Sequence, residues 1–255
     1  MPMASIKTRG IILQRRVYGE ADRILTILTP GMGKMTAIAK GARRLTSKMG
    51  GHLELFYVVD WVLAEGRNWH VVTSADVVDS FQELRLSLTT VEQASYLAQL
   101  VSRLSPDDQV QPKMYHLLVE AFGQLSGSRG TTLLRQVEWQ LLLASGLQPE
   151  LRACSHCTKA LDPITLGLCP ERGGALCPDC MQVETVHVPI QAETLKVLRL
   201  FERAPLQLST RLQLSSAVQE ELARTTKLFL EHALEQSIKF PTFGTLQPST
   251  VLVSQ

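Results

Sequence analysis

The chain lacks any long hydrophobic run. Its longest apolar blocks, such as Leu141-Leu142-Leu143-Ala144, are far shorter than the roughly 18 residues of a membrane span. The N-terminal stretch Met1–Lys7 lacks the apolar core of a secretory signal. Both absences lead to the expectation of a cytoplasmic protein without membrane contact. Catalytic signatures are missing as well. There is no Gly-x-Ser-x-Gly, no His-Glu-x-x-His and no aspartate cluster suited to a two-metal nuclease. Gly31-Met32-Gly33-Lys34 falls short of a phosphate loop, because the first glycine is missing and Met35 stands where Ser or Thr would bind the metal. It reads as a turn with a basic exit. His52, His70, His116, His187 and His232 are scattered and suggest no general base. The expectation is a protein that is not an enzyme.

Two further scarcities are local. Residues 1–50 contain only two acids, Glu20 and Asp22, against ten Lys and Arg, which is +8 in a chain whose total is +2. The rest of the chain therefore sums to −6. Charge segregated in this way predicts a polyanion-binding face near the N-terminus. Cysteine is absent everywhere except between Cys154 and Cys180, where all five lie within 27 residues. In a cytosolic chain a cluster this tight reads as one local metal site, not as disulfides.

What is present is an ordinary globular composition. The 255 residues are 45% hydrophobic and 20% charged, enough for a real core in one large domain or two to three small ones. Five short segments rich in β-branched or aromatic residues occupy the first 80: Ser5–Leu13, Arg23–Leu28, Lys34–Lys40, Leu53–Leu63 and Asn68–Val78. Turns at Gly19, Thr29–Gly33 and Ala64–Asn68 separate them. This spacing predicts a five-stranded OB-fold β-barrel over residues 1–80.

After Phe81 the period becomes helical. Thr89 and Glu92 form a possible capping box for a helix ending before Pro106. Pro112 suits the first position of a helix to Leu125. Thr131 or Thr132 could cap a third, stopped by Gly146. Further helices are expected at Ala192–Arg203 and, behind a possible Ser216/Gln219 box, at Ser216–Ile238. The fold class is thus α+β: the barrel, a helical bundle domain in two parts (81–149 and 189–240), an inserted zinc-finger-like module at 150–188, and an irregular tail at 241–255.

Cys154-x2-Cys157 and Cys177-x2-Cys180 are two metal-binding knuckles expected to converge on one tetrahedral Zn2+ per chain. Four thiolates leave no position for water, so the site reads as structural. Gly173-Gly174 supplies the chain reversal before the second knuckle. Cys169 is the spare, a small thiol or an alternative ligand, and His156 reads as exposed. The second candidate site is the basic segment. Lys34, Lys40, Arg43, Arg44 and Lys48 are suited to phosphates, and Arg15 and Arg16 flank Tyr18 in what reads as a loop. Tyr18 is the aromatic best placed to stack on a base, whereas Phe56, Tyr57 and Trp61 sit in an apolar strand and read mainly as core.

The order of these motifs resembles a known family. Gly10-Ile11-Ile12-Leu13, Tyr18-Gly19-Glu20-Ala21-Asp22-Arg23-Ile24-Leu25, Gly33-Lys34, and Ala39-Lys40-Gly41-Ala42-Arg43-Arg44 with Ser47-Lys48 resemble the N-terminal domain of the bacterial RecO recombination mediators. Phe122 and Leu125, Arg135, Leu147-Gln148-Pro149, the paired knuckles and Gly173-Gly174 continue the resemblance to about residue 235. Cys169 departs from the family pattern of four cysteines or fewer. The resemblance implies an OB domain, a helical domain and a zinc module acting in DNA repair. It also implies binding to single- and double-stranded DNA, annealing of complementary strands, partnership with RecR and with the single-strand-binding protein SSB, indirect help to RecA, and a place on the nucleoid. Read from residues alone, two alternatives stand beside it: a metal-dependent nucleic-acid enzyme and an OB-fold RNA-binding translation factor.

Overall fold

The computed structural model describes residues 5–125, 130–161, 165–184 and 186–235. The expected irregular tail, 241–255, and the end of the last expected helix lie outside them. Five strands, β1 (Ser5–Tyr18), β2 (Asp22–Thr29), β3 (Gly33–Ala39), β4 (Val58–Ala64) and β5 (His70–Asp79), close into a barrel in the order β1-β2-β3-β5-β4. The β3–β5 contact is parallel and the other pairings are antiparallel, the topology of an OB fold. Ile12, Leu25, Ile27, Trp61, Leu63 and Val72 fill its interior.

β1 is longer than the expected Ser5–Leu13. Its first half pairs with β4, from Ser5 to Ile11, and its second half pairs with β2, from Ile11 to Tyr18. The register shifts between Ile12 and Gln14, where the strand leaves one partner for the other. Beyond Ile11 β1 has β4 no longer beside it and keeps only β2, which stays paired with β3 back to Arg23, and Arg16, Val17 and Tyr18 are exposed. The run Gln14-Arg15-Arg16 therefore satisfies its backbone in a ladder while Gln14 and Arg15 are only half-buried and Arg16 is exposed. Alternation of apolar residues cannot reveal a strand of that kind.

The helical part comprises α1 (Leu88–Leu104), α2 (Pro112–Gln124), α3 (Gly130–Ala144), α4 (Pro178–Met181), α5 (Ala192–Phe201), α6 (Leu206–Ser209) and α7 (Ser216–Leu234). Three expected caps are corrected. α1 begins before Thr89 and makes no side-chain cap bond; Thr90 Oγ1 instead donates to the carbonyls of Leu84 and Ser87, 2.8 Å each, tying down the preceding turn. α3 is already under way at Gly130, ahead of Thr131 and Thr132. α7 is capped by Ser215, whose Oγ accepts from the Val218 N–H at 3.4 Å, one residue before the expected Ser216. Pro112 and Gly146 behave as read: Pro112 opens α2, and Gly146 follows α3 at φ +96°.

One hydrophobic core runs from barrel to helices. Ile11, Leu13, Leu28 and Phe56 of the barrel join Leu97, Phe122 and Trp139 in the same cluster. A polar strap reinforces the junction. Lys34 Nζ donates to the Ser102 carbonyl at 2.7 Å and pairs with Asp107 at 3.1 Å, while the Asp108 N–H donates to the Lys34 carbonyl at 3.0 Å. Gly33, at φ +74°, is needed here, since a Cβ would lie 2.1 Å from the Gln109 carbonyl oxygen. Within the bundle, fully buried Glu138 joins three helices. It accepts from Tyr96 Oη at 2.7 Å and pairs with Arg135 at 2.8 Å, and Arg135 reaches Thr226 at 3.4 Å. Burial holds the Glu138 carboxyl above the usual range, against the pull of Arg135. Glu138→Ala is expected to take from the buried Arg135 guanidinium its carboxylate partner and cost about 3 kcal/mol, measurable by urea unfolding.

Candidate nucleic-acid interface and metal centre

The basic residues collect where the end of the β1–β2 hairpin meets the loop after β3. That loop is held by its backbone. The Gly41 N–H donates to Asp22 Oδ1 at 2.7 Å, the Arg43 N–H to the Ala21 carbonyl at 2.9 Å, and the Arg43 guanidinium to the Glu20 carbonyl at 2.9 Å. Gly41 turns the chain at φ +65°. Asp22 is thus spent on a backbone N–H, and Glu54, further along the same connection, on Arg15 and Arg23. Lys40, Arg44 and Lys48 are exposed and make no side-chain hydrogen bond or ion pair among the described residues. Leu45, between Arg44 and Thr46, is fully exposed.

Not every candidate reaches this end. Lys34 lies elsewhere: its side chain is 15% exposed and engaged with Ser102 and Asp107 at the junction between barrel and helices. Arg15 is half withdrawn, since it pairs with Glu54 at 2.5 Å. Arg16 stays exposed. Tyr18 lies on the strand and not in a loop, which corrects the sequence reading. Its ring meets Trp69 edge-on, centroids 5.4 Å apart, with Tyr18 46% exposed. Trp69 belongs to the turn between β4 and β5, so the end of β1 and that turn share an aromatic edge near the basic loop. Sequence reasoning had no signal for this pairing, which joins residues 51 positions apart. Phe56 and Trp61 are buried, the latter donating to the Gly10 carbonyl at 3.2 Å, and the Arg85 guanidinium lies 4.8 Å over the Tyr57 ring.

The cysteine module is built on a small sheet, β7 (Gly174–Leu176), β6 (Thr165–Cys169) and β8 (Val188–Gln191), in the order β7-β6-β8. Leu166, Leu168, Ala175 and Ile190 press one face of it into the helical core. Glu150 sets the entry to the first knuckle: its carboxylate accepts from the Arg152 and Ala153 N–H groups, which holds its pKa below the usual carboxylate range. Gly174 lets the second approach pass, since a Cβ there would lie 2.4 Å from the Glu150 carbonyl oxygen. The Ser155 N–H donates to the Ala175 carbonyl at 2.8 Å and lashes the knuckles together.

The sulfurs of Cys154, Cys157, Cys177 and Cys180 all lie within 4.8 Å of one another. Cys157 and Cys177 are 3.8 Å apart, the edge of a tetrahedron whose arms are about 2.3 Å. The four thiols therefore fit a metal ion. Burial pushes the Cys154 thiol up, but the N–H groups of Cys157, Cys177 and His156 bring it down to about 6, favouring the thiolate that a metal needs. Burial and the neighbouring sulfurs push Cys180 up. Cys169 is buried on β6 against the same cluster but is not one of the four. His156 is exposed and pairs with Glu184 at 2.8 Å, which is also held by Arg172 at 2.6 Å. Among the described residues no helix is long and apolar enough to cross a membrane.

Comparison with known proteins covers almost the whole of this architecture. Residues 3–81 match the family model described as Recombination protein O N terminal, and residues 85–240 the one described as Recombination protein O C terminal. The chain is 38% identical over 231 residues to a DNA repair protein RecO of Roseiflexus sp. (strain RS-1), covering 90% of this chain and 81% of the relative. It is 34% identical over 234 residues to the DNA repair protein RecO of Dehalococcoides mccartyi (strain BAV1), covering 91% and 92%. It is 32% identical over 235 residues to that of Anaeromyxobacter dehalogenans (strain 2CP-C), covering 91% and 92%.

Proposed function

The chain belongs to the RecO family of DNA repair proteins, and from that premise we propose that it is a recombination mediator that grips DNA strands by their phosphates and anneals them. The observation that carries the reading is the hairpin end of the barrel. Lys40, Arg44, Lys48 and Arg16 are exposed there beside the Tyr18–Trp69 edge. Phosphate contacts position a strand without reading its bases. A strand held in this way keeps its base edges free for a complement, which annealing requires. Single-stranded and double-stranded DNA both offer the same phosphates. RecR and SSB would be its protein partners, with RecA helped indirectly, as in the family it belongs to.

The cysteine module holds one Zn2+ in this reading. Cys154, Cys157, Cys177 and Cys180 supply the whole tetrahedral shell, so the ion organises the fold and activates no water. No bond in DNA is made or broken, and the runner-up enzyme reading would need an open coordination position.

The test is incubation of the purified protein with labelled complementary strands and magnesium, without ATP. Faster annealing with both strands intact is expected, on bare strands and on strands coated with SSB. Cleavage lost on mutating Cys177 would establish the enzyme reading instead. RNA binding without DNA annealing would establish the translation-factor reading.

A further inference from the structure

We infer that the DNA path continues past the hairpin end into the groove between β1 and α1, with Arg103 as a phosphate contact that the helical domain contributes. This rests on the proposed strand-gripping function and extends its site across the domain junction.

The groove is a cleft of about 360 Å³. Gln14, Arg15, Arg16, Ser95, Gln99 and Arg103 supply its polar lining, over a floor that includes buried Leu13 and Phe56. None of its lining residues is a carboxylate. Arg15 is paired with Glu54, but Arg16 and Arg103 are exposed and make no side-chain hydrogen bond or ion pair among the described residues. Two guanidinium groups facing one groove without a counter-charge repel each other, and an anion laid between them relieves that repulsion. Gln14 and Gln99 add neutral donors; Gln14 Nε2 already reaches Ser102 Oγ at 3.4 Å, which fixes the groove's width on that side.

Periodicity decides which anion fits. Along β1, Gln14, Arg16 and Tyr18 alternate onto one face. Along α1, Ser95, Gln99 and Arg103 stand four apart on one stripe. A linear polyanion leaving the Tyr18–Trp69 edge would pass Arg16 and then meet Arg103 without crossing an acidic side chain of the groove. The Arg16–Arg103 pair thus lies in line with the hairpin end, which suits one continuous strand better than a separate acidic peptide.

The experiment compares wild type, Arg103→Glu, Arg103→Lys and the loop variant Lys40→Glu/Arg44→Glu/Lys48→Glu. Fluorescence anisotropy would follow single strands of about 8 and about 40 nucleotides, one within and one well beyond the roughly 4–16 nucleotides that a single OB fold holds. Arg103→Glu is expected to weaken the long strand about tenfold and the short strand less than twofold, with Arg103→Lys restoring most of the loss. The loop variant should weaken both. Thermal melting confirms that each variant is folded. Equal effects of Arg103→Glu on both lengths, or none on either while the loop variant weakens both, would overturn the groove. So would an acidic peptide that binds wild type and not Arg103→Glu while DNA binding is unaltered. A loop variant without effect would instead sink the underlying strand-gripping reading.

Discussion

Cys154→Ser is expected to yield a metal-free protein whose melting temperature is lower by at least about 10 °C. The size follows from how the module is seated. Metal binding to a site that does not exist in the unfolded chain is folding energy, and structural zinc sites supply about 10 kcal/mol or more of it. Most of that is offset by ordering the module, yet a loss of about 5 kcal/mol in a chain of this size lowers the melting temperature by roughly 10 to 20 °C. The loss spreads, because Leu166, Leu168 and Ala175 of the module's sheet sit in the helical core. The barrel interior is a separate cluster, built from Ile12, Leu25, Trp61 and their neighbours. Below the melting transition, single-strand binding should therefore change by less than about twofold. Atomic absorption gives the metal content, calorimetry the melting temperature, and anisotropy the binding. Cys177→Ser should behave in the same way. A wild type that melts unchanged after chelation would contradict the structural role.

The second large effect is on DNA. Lys40→Glu/Arg44→Glu/Lys48→Glu is expected to weaken single-strand binding on the order of fiftyfold or more near physiological salt. Each phosphate contact to a single strand releases about 0.7 of a counterion, so losing three removes roughly that factor, and reversing the charges adds repulsion. The three positions are chosen for what they do not touch. Arg43 is left in place because its guanidinium and its N–H hold the loop to Glu20 and Ala21. Asp22 is left because it accepts from the Gly41 N–H. Annealing should fall with binding, and the melting temperature should stay within a few degrees of wild type, since the replaced side chains are exposed.

Much of this architecture can be read from local pattern, and the exceptions share a cause. The barrel strand β3 alternates over its first half, but β2 is buried along most of its length, so composition and the turns at Gly19 and Thr29–Gly33 find these strands where period alone would not. The knuckles are found by spacing, because two cysteines around one turn must point the same way. Lys34 shows the limit. Its sequence neighbourhood is basic and glycine-rich, yet its partners are Ser102 and Asp107, about 70 residues away, and only the docking of barrel on helices turns it inward. Tyr18 fails for the converse reason. Its segment is polar because this part of β1 no longer has β4 beside it and is exposed, so a strand reads as a loop. Its contact with Trp69 depends on barrel closure, which places the end of β1 and the β4–β5 turn side by side. The helix starts miss by one or two residues because Thr90 spends its hydroxyl on Leu84 and Ser87, and because Ser215, not Ser216, meets the first free N–H groups of α7.

The central claim is that phosphate contacts at the hairpin end carry the affinity for DNA. The salt dependence of single-strand binding, compared between wild type and Lys40→Glu/Arg44→Glu/Lys48→Glu, tests it most directly. Plotted as log affinity against log salt, the variant's slope should be shallower by about 2, as expected for three lost contacts at about 0.7 each. A variant that binds more weakly with an unchanged slope, or binds as wild type does, would place the phosphate contacts elsewhere and contradict the account.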